Sequence, residues 1–280
     1  MAVSKSVLIR FIGIIMSLFW VLLLSFALPA EQGAQTPSTI GFSWNGFLIS
    51  TSDPMYPFNL QVMMWIAFFI CMSELFIKWF KLIDERAMMN DFRLYENPGF
   101  VTFQIEGRAQ QINLDPSEAL KPELLAAIYH AKKDILHPGA LVTQMFTKIN
   151  HQFHSTNDVA DVYSAVTSML ELKLHEVDLR YTVVRYLAWL IPTLGFIGTV
   201  IGIAIALGTA GTLEANDPEL LQKVVPLLSV AFYTTLLALI LSAIVMILLQ
   251  IIQAQDEETV SEVGQYCLDN IVINLKPRSN

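Results

Sequence analysis

Four apolar stretches of this chain, residues 11–28, 54–73, 186–213 and 224–255, contain no Asp, Glu, Lys or Arg. A helix needs about 20 apolar residues to cross the hydrocarbon core of a bilayer. Lipid offers no partner to a free backbone N–H or C=O, so each stretch is expected to be helical. The composition agrees: 54% of the residues are hydrophobic and 15% charged, against roughly 45–50% and about 25% in an ordinary soluble domain. A net charge of −8 excludes a nucleic-acid-binding chain. The apolar content equally excludes a disordered one. Cys71 and Cys267 cannot build a disulfide framework and lack metal-ligand spacing.

The first stretch has two readings. Lys5 and Arg10, with Ser25, Phe26 and Ala27 downstream, fit a cleavable signal peptide. The uncharged run exceeds the usual apolar region of about 7–15 residues, which favours an uncleaved helix. Orientation follows from the cations. Lys5 and Arg10 precede the first span, residues 29–53 hold no Lys or Arg, and Arg86, Arg93, Arg108, Lys121, Lys132, Lys133, Lys148, Lys173 and Arg180 lie between the second and third. Residues 211–221 again hold none, and Lys276 and Arg278 follow the fourth span. Both termini and the middle segment are therefore expected in the cytoplasm.

The expected fold is an all-α membrane protein with four transmembrane helices, the third and fourth extended into the cytoplasm, and a cytoplasmic helical domain between the second and third. The divisions are a first transmembrane helix (1–30), a periplasmic loop (31–56), a second helix (57–81), the cytoplasmic domain (82–184) and a third helix (185–212). A short periplasmic turn with the fourth helix (213–252) and a cytoplasmic tail (253–280) complete the chain.

Within the middle segment, Asp115-Pro116 and Pro122-Glu123 read as helix starts, and His137-Pro138-Gly139 as a break. Ser155, Asn157 or Asp158 is suited to cap the next helix. From there Val159, Val162, Val166, Leu170, Leu174, Val177, Tyr181 and Val184 recur at spacings of three and four, one apolar face leading straight into the third span. Beyond the fourth span, which Asp217-Pro218-Glu219 starts, Val260, Val263, Cys267 and Ile271 continue a second such stripe. At 1.5 Å per residue these helices would reach on the order of 70–80 Å and need partners along their length, within one subunit or between copies. Residues 99–107 alternate like a strand and read as a small ribbon or a loop.

The third span carries the most informative pattern. Pro192, Gly195, Thr199, Gly202 and Ala206 step by three and four along one face, with Gly198 and Gly202 forming a GxxxG pair beside it. In the fourth span Ala231, Thr235, Ala238 and Ser242 share a face, with the hydroxyls of Tyr233 and Thr234 nearby. Two readings stand. The small residues let helices pack closely, and isolated Ser and Thr in membrane helices commonly bond their own backbone. Alternatively the two stripes line a narrow ion pathway, with Thr193, Thr199, Thr234, Thr235 and Ser242 as its polar groups. Glu74, near the end of the second span, either pairs with Lys78 and Lys81 or joins that pathway.

The run P-T-L-G-F-I-G-T-V-I-G-I at residues 192–203 resembles the signature of the proton-channel family of ExbB, TolQ and the flagellar stator subunit MotA. A-F-Y-T-T-L-L-A-L at residues 231–239 is similar to that family's second signature. The resemblance implies a pore-forming subunit of an ion-driven motor in the bacterial inner membrane, powered by the proton motive force. It also implies a pentamer around two copies of a single-span ExbD/TolR/MotB-like partner. The partner's membrane aspartate is loaded and unloaded with H+ or Na+, and Thr199 and Thr235 match the threonines that line the route. Three features differ among the relatives. Val230 stands where ExbB and TolQ usually carry Glu, Ile191 stands where they tend to have Ala, and four spans are closer to the stator subunit.

No cofactor or metal is expected. The glycines of the third span lie inside an apolar helix, there is no phosphate-binding GxxxxGK[ST] run, and His151/His154 and Glu171/His175 form no recognised ligand set. Nothing indicates an enzyme. A flagellar stator subunit, or a non-conducting scaffold assembled through the small-residue faces, are the alternatives to the motor reading.

Overall fold

The computed structural model describes residues 19, 47–48, 60–92, 95–97, 100–105, 108–113, 139–212 and 220–275. The first span (apart from Phe19), the helix starts at Asp115 and Pro122, and the Asp217-Pro218-Glu219 start lie outside these residues. The elements are α1 (Leu60–Phe92), β1 (Tyr95–Asn97), β2 (Phe100–Ile105), β3 (Arg108–Asn113), α2 (Leu141–Thr156), α3 (Val159–Gly211) and α4 (Leu220–Tyr266). A single wide turn, Cys267–Ile271, and a tight one, Val272–Asn274, follow α4.

Among the described residues, three helices are long and apolar enough to cross a membrane. They are α1, which takes in residues 60–73 of the second expected span, α3, which takes in residues 186–211 of the third, and α4, which contains the fourth. α3 runs for 53 residues through the stripe and the span together, with no break signal where the one passes into the other. Val162, Val166, Val177, Tyr181 and Val184 of the first stripe are buried, as are Val260, Val263, Cys267 and Ile271 of the second.

The α2–α3 junction is a local event. Asn157 takes a left-handed backbone (φ 50°) and donates its N–H to the Phe153 carbonyl, ending α2. Asp158 then accepts the Ala160 N–H at 2.9 Å, so of the three residues suited to the cap it is the one used.

One segment departs from the all-α expectation. β1, β2 and β3 form an antiparallel meander with Asn97 opposite Phe100 and Ile105 opposite Arg108. Pro98-Gly99 and Glu106-Gly107 separate the strands in sequence, and both pairs favour tight turns. The alternation at 99–107 is therefore mostly β2, the ribbon rather than the loop.

The chain divides into two compact units. The first comprises Met1–Lys78 and Tyr181–Ile251. Its core holds Met64, Cys71 and Leu75 from α1, Ala188 and Ile191 from α3, and Ala238, Leu241 and Val245 from α4. Gln61, 1% exposed, donates to the Phe47 carbonyl, and the Trp65 indole donates to that of Leu48. Phe196, Leu207 and Trp189, each more than 60% exposed, turn large apolar groups outward, a surface suited to lipid rather than water.

The second unit comprises Trp79–Arg180 and Ile252–Asn280. In it α2 buries Leu141, Val142, Met145, Phe146, Ile149 and Phe153 on one face. α2 has no side-chain cap of its own, and the Glu85 carboxylate of α1 accepts the Leu141 N–H at 2.9 Å instead. Arg86 donates to Thr259 Oγ1 (2.9 Å), the Gln255 carbonyl (3.3 Å) and Glu258 (3.1 Å), beside an open groove of about 210 Å³ that Met89 and Glu262 also line. Arg180 pairs with Asp256 at 3.8 Å.

Candidate functional site: the interface of α3 and α4

The two small-residue stripes meet each other. A Cβ added at Gly195 would clash with the Ala238 methyl, and one at Gly202 would lie 2.5 Å from that of Ala231. One at Gly198 would come within 2.7 Å of Thr234 Oγ1. Ala206, Ala231 and Ala238 are fully buried, while Pro192 stays half-buried. Close packing of α3 on α4 thus uses the glycines and alanines on both sides, as small residues allow in membrane helices.

The hydroxyls fall into two groups. Thr199 and Thr235 touch each other through Oγ1, at the centre of the interface. Thr235 donates to the Gly195 carbonyl at 3.0 Å, and Thr199 Oγ1 lies 3.2 Å from that carbonyl and 3.3 Å from Ala231 O. A hydroxyl carries one proton and two lone pairs. The pair therefore has several ways to share two protons between themselves and two carbonyls, and it can exchange one for another without leaving a group bare.

The hydroxyls of Thr193, Thr234 and Ser242 are bound to backbone. Thr234 donates to Ala231 O at 2.7 Å within its own helix. Thr193 is 2.6 Å from Leu190 O and 3.2 Å from Trp189 O, also in its own helix. Ser242 reaches across from α4 to the Ala188 carbonyl of α3 at 3.1 Å. Tyr233 sets its ring edge-on to Phe47, centroids 6.4 Å apart.

Glu74 is tied locally. Its carboxylate lies 3.5 Å from the Lys78 ammonium, one helical turn on, and both side chains are more than 80% buried. Lys78 in turn sits over the Tyr181 ring, 5.4 Å from its centroid. The described stretches 60–73, 186–212 and 224–255 hold no carboxylate at all. Among the described residues no group of three or more His, Cys, Asp or Glu is placed to hold a metal ion.

Two participants were not singled out from the sequence. Ala188 has no signal of its own, since its part is played by a carbonyl. Gln61 has one: it is an amide in an otherwise apolar run, and such groups in a span need a partner.

Residues 139–265, which take in α2, α3 and nearly all of α4, match the model of the MotA/TolQ/ExbB proton channel family. Comparison with curated proteins gave no match.

Proposed function

We propose that this chain, whose residues 139–265 match the model of the MotA/TolQ/ExbB proton channel family, is the pore-forming subunit of an ion-driven motor in the bacterial inner membrane. Five copies surround two copies of a single-span ExbD/TolR/MotB-like partner, with both termini and the 82–184 domain in the cytoplasm. The partner supplies the membrane carboxylate. The Thr199–Thr235 hydroxyl pair accepts or passes the ion, H+ or Na+, as that carboxylate is loaded and unloaded.

The observation that carries this reading is the contact between Thr199 and Thr235. They are the two threonines that match the family's signatures, and they come from different helices to one point. The carboxylate-free stretches beside them supply no carrier, and intramembrane proton transfer normally employs an acid. Glu74 is engaged with Lys78, which makes an external acid the better source.

The scaffold alternative relies on small-residue faces free to join copies of the chain. Those faces are buried against one another inside the chain, so the observation favours the motor. A stator subunit remains a special case of it, distinguished by whether the partner carries a peptidoglycan-binding domain.

The test is ion flux after co-expression with the partner. Thr199→Val and Thr235→Val each keep the side-chain shape and remove the hydroxyl. Each is expected to reduce flux by about tenfold, the effect of one hydrogen-bond-sized change in a barrier. Unchanged flux in both would overturn the assignment.

A further inference from the structure

Pro192 lies in the interior of α3. Proline has no N–H, so it cannot bond the carbonyl four residues back. Here that carbonyl belongs to Ala188, fully buried, and in a membrane an unmade backbone bond is costly. Ser242 of α4 donates to it at 3.1 Å and is itself 91% buried. A Ser in a helix commonly bonds a carbonyl of its own preceding turn. Ser242 bonds the facing helix instead, at the one rung that Pro192 has vacated.

The position of this bond matters for the rest of the interface. Seven residues separate Ala188 from Gly195 on α3, and seven separate Ser242 from Thr235 on α4. Four more residues lead from Gly195 to Thr199 on α3 and from Thr235 to Ala231 on α4. The hydroxyl–carbonyl contacts Ser242 to Ala188, Thr235 to Gly195 and Thr199 to Ala231 thus keep one antiparallel register. Slipping α4 by a turn along α3 would bare the Ala188 carbonyl and part Thr199 from Thr235 together.

We propose that Ser242 is a positioning residue: its hydroxyl supplies the rung of α3 that Pro192 removes and thereby holds α4 in the register where Thr235 meets Thr199. The effect on transport rests on the pathway reading above; the missing rung does not. In this role Ser242 is no longer one of the groups that handle the ion, although its spacing put it on the same face as Thr235.

A double-variant cycle on the complete complex tests this. Ser242→Ala is expected to lower the melting temperature in mild detergent by about 2–4 °C and to slow flux about threefold. Ser242→Thr, which keeps the hydroxyl, is expected to retain both. In a Pro192→Ala background α3 regains its own N–H at that rung. Adding Ser242→Ala there is expected to change the melting temperature by less than about 1 °C, the signature of two residues serving one bond. Equal losses in both backgrounds, or no loss in either, would overturn the proposal. So would a loss of flux with stability untouched, which would make Ser242 a pathway group. If the cycle holds while Thr199→Val and Thr235→Val leave flux unchanged, the rung stands and the pathway reading is what fails.

Discussion

Gly195 of α3 and Ala238 of α4 are packed so closely that any side chain at Gly195 would begin in a clash with the Ala238 methyl. The Thr234 carbonyl and the Thr235 Cα stand 3.3 Å from the same point, so the neighbours are backbone and a methyl, none of which can swing aside. This contact sets how near the two helices come, and hence whether Thr199 and Thr235 can touch.

Gly195→Ala should therefore force the helices apart. Overpacking of this kind costs about 1–3 kcal/mol, and thermal unfolding in mild detergent would record it as a lower melting temperature. Gly208 is the internal control, since a Cβ there meets nothing within 4 Å. Gly208→Ala removes a helix-interior glycine and should stabilise by about 0.5–1 kcal/mol. A similar loss at both sites would mean that helix propensity or lipid contact, rather than the α3–α4 approach, is being measured.

Arg86 offers a second contrast. Its guanidinium serves a buried threonine hydroxyl, a backbone carbonyl and an exposed carboxylate at once. Arg86→Ala leaves the buried Thr259 oxygen without that donor, while the Gln255 carbonyl keeps the Thr259 hydroxyl at 2.7 Å, and should destabilise by about 1–3 kcal/mol. Arg86→Lys should recover little of this, because a single ammonium cannot reproduce the planar fork. Glu258→Gln should change stability by less than about 0.5 kcal/mol, since that side chain is 71% exposed and its ion pair is screened.

The Lys173–Glu176 pair, 2.8 Å apart on α3, gives a pH signature. The Lys173 hydrogen bond holds the Glu176 carboxyl below the ordinary carboxylate range, against a smaller opposing effect of burial. A carboxylate lowered in the folded state stabilises the protein above its unfolded pKa and loses that contribution as pH falls through the folded one. The melting-temperature difference between the parent and Glu176→Gln should thus be small and constant near neutrality, and vanish in acid. It should also shrink in high salt, as the Glu176 side chain is half exposed.

Much of this was legible in the sequence, for a physical reason. Apolar periodicity survives in any helix that must bury one face, so Val260, Val263, Cys267 and Ile271 announced an extension of α4 that the structure buries at all four positions. The threonines were legible as well, because their faces are shared with glycines and alanines that only close packing explains. What could not be read was the pairing across helices. A proline at 192 frees a carbonyl in any helix, but which hydroxyl would answer depended on the register of α4, which no single helix encodes. Glu85 capping α2, and Arg86 reaching Thr259, likewise join residues separated by 56 and 173 positions. Sequence spacing carries no signal for such contacts.

The most direct test of the central claim is proton uptake by liposomes holding the purified chain, with and without the proposed aspartate-bearing partner, under an imposed membrane potential. The chain alone should be silent, its described spans offering hydroxyls but only the Lys78-bound Glu74 as an acid. The complex should conduct, and Glu74→Gln should leave that conduction in place. Uptake by the chain alone, or conduction abolished by Glu74→Gln, would contradict the account.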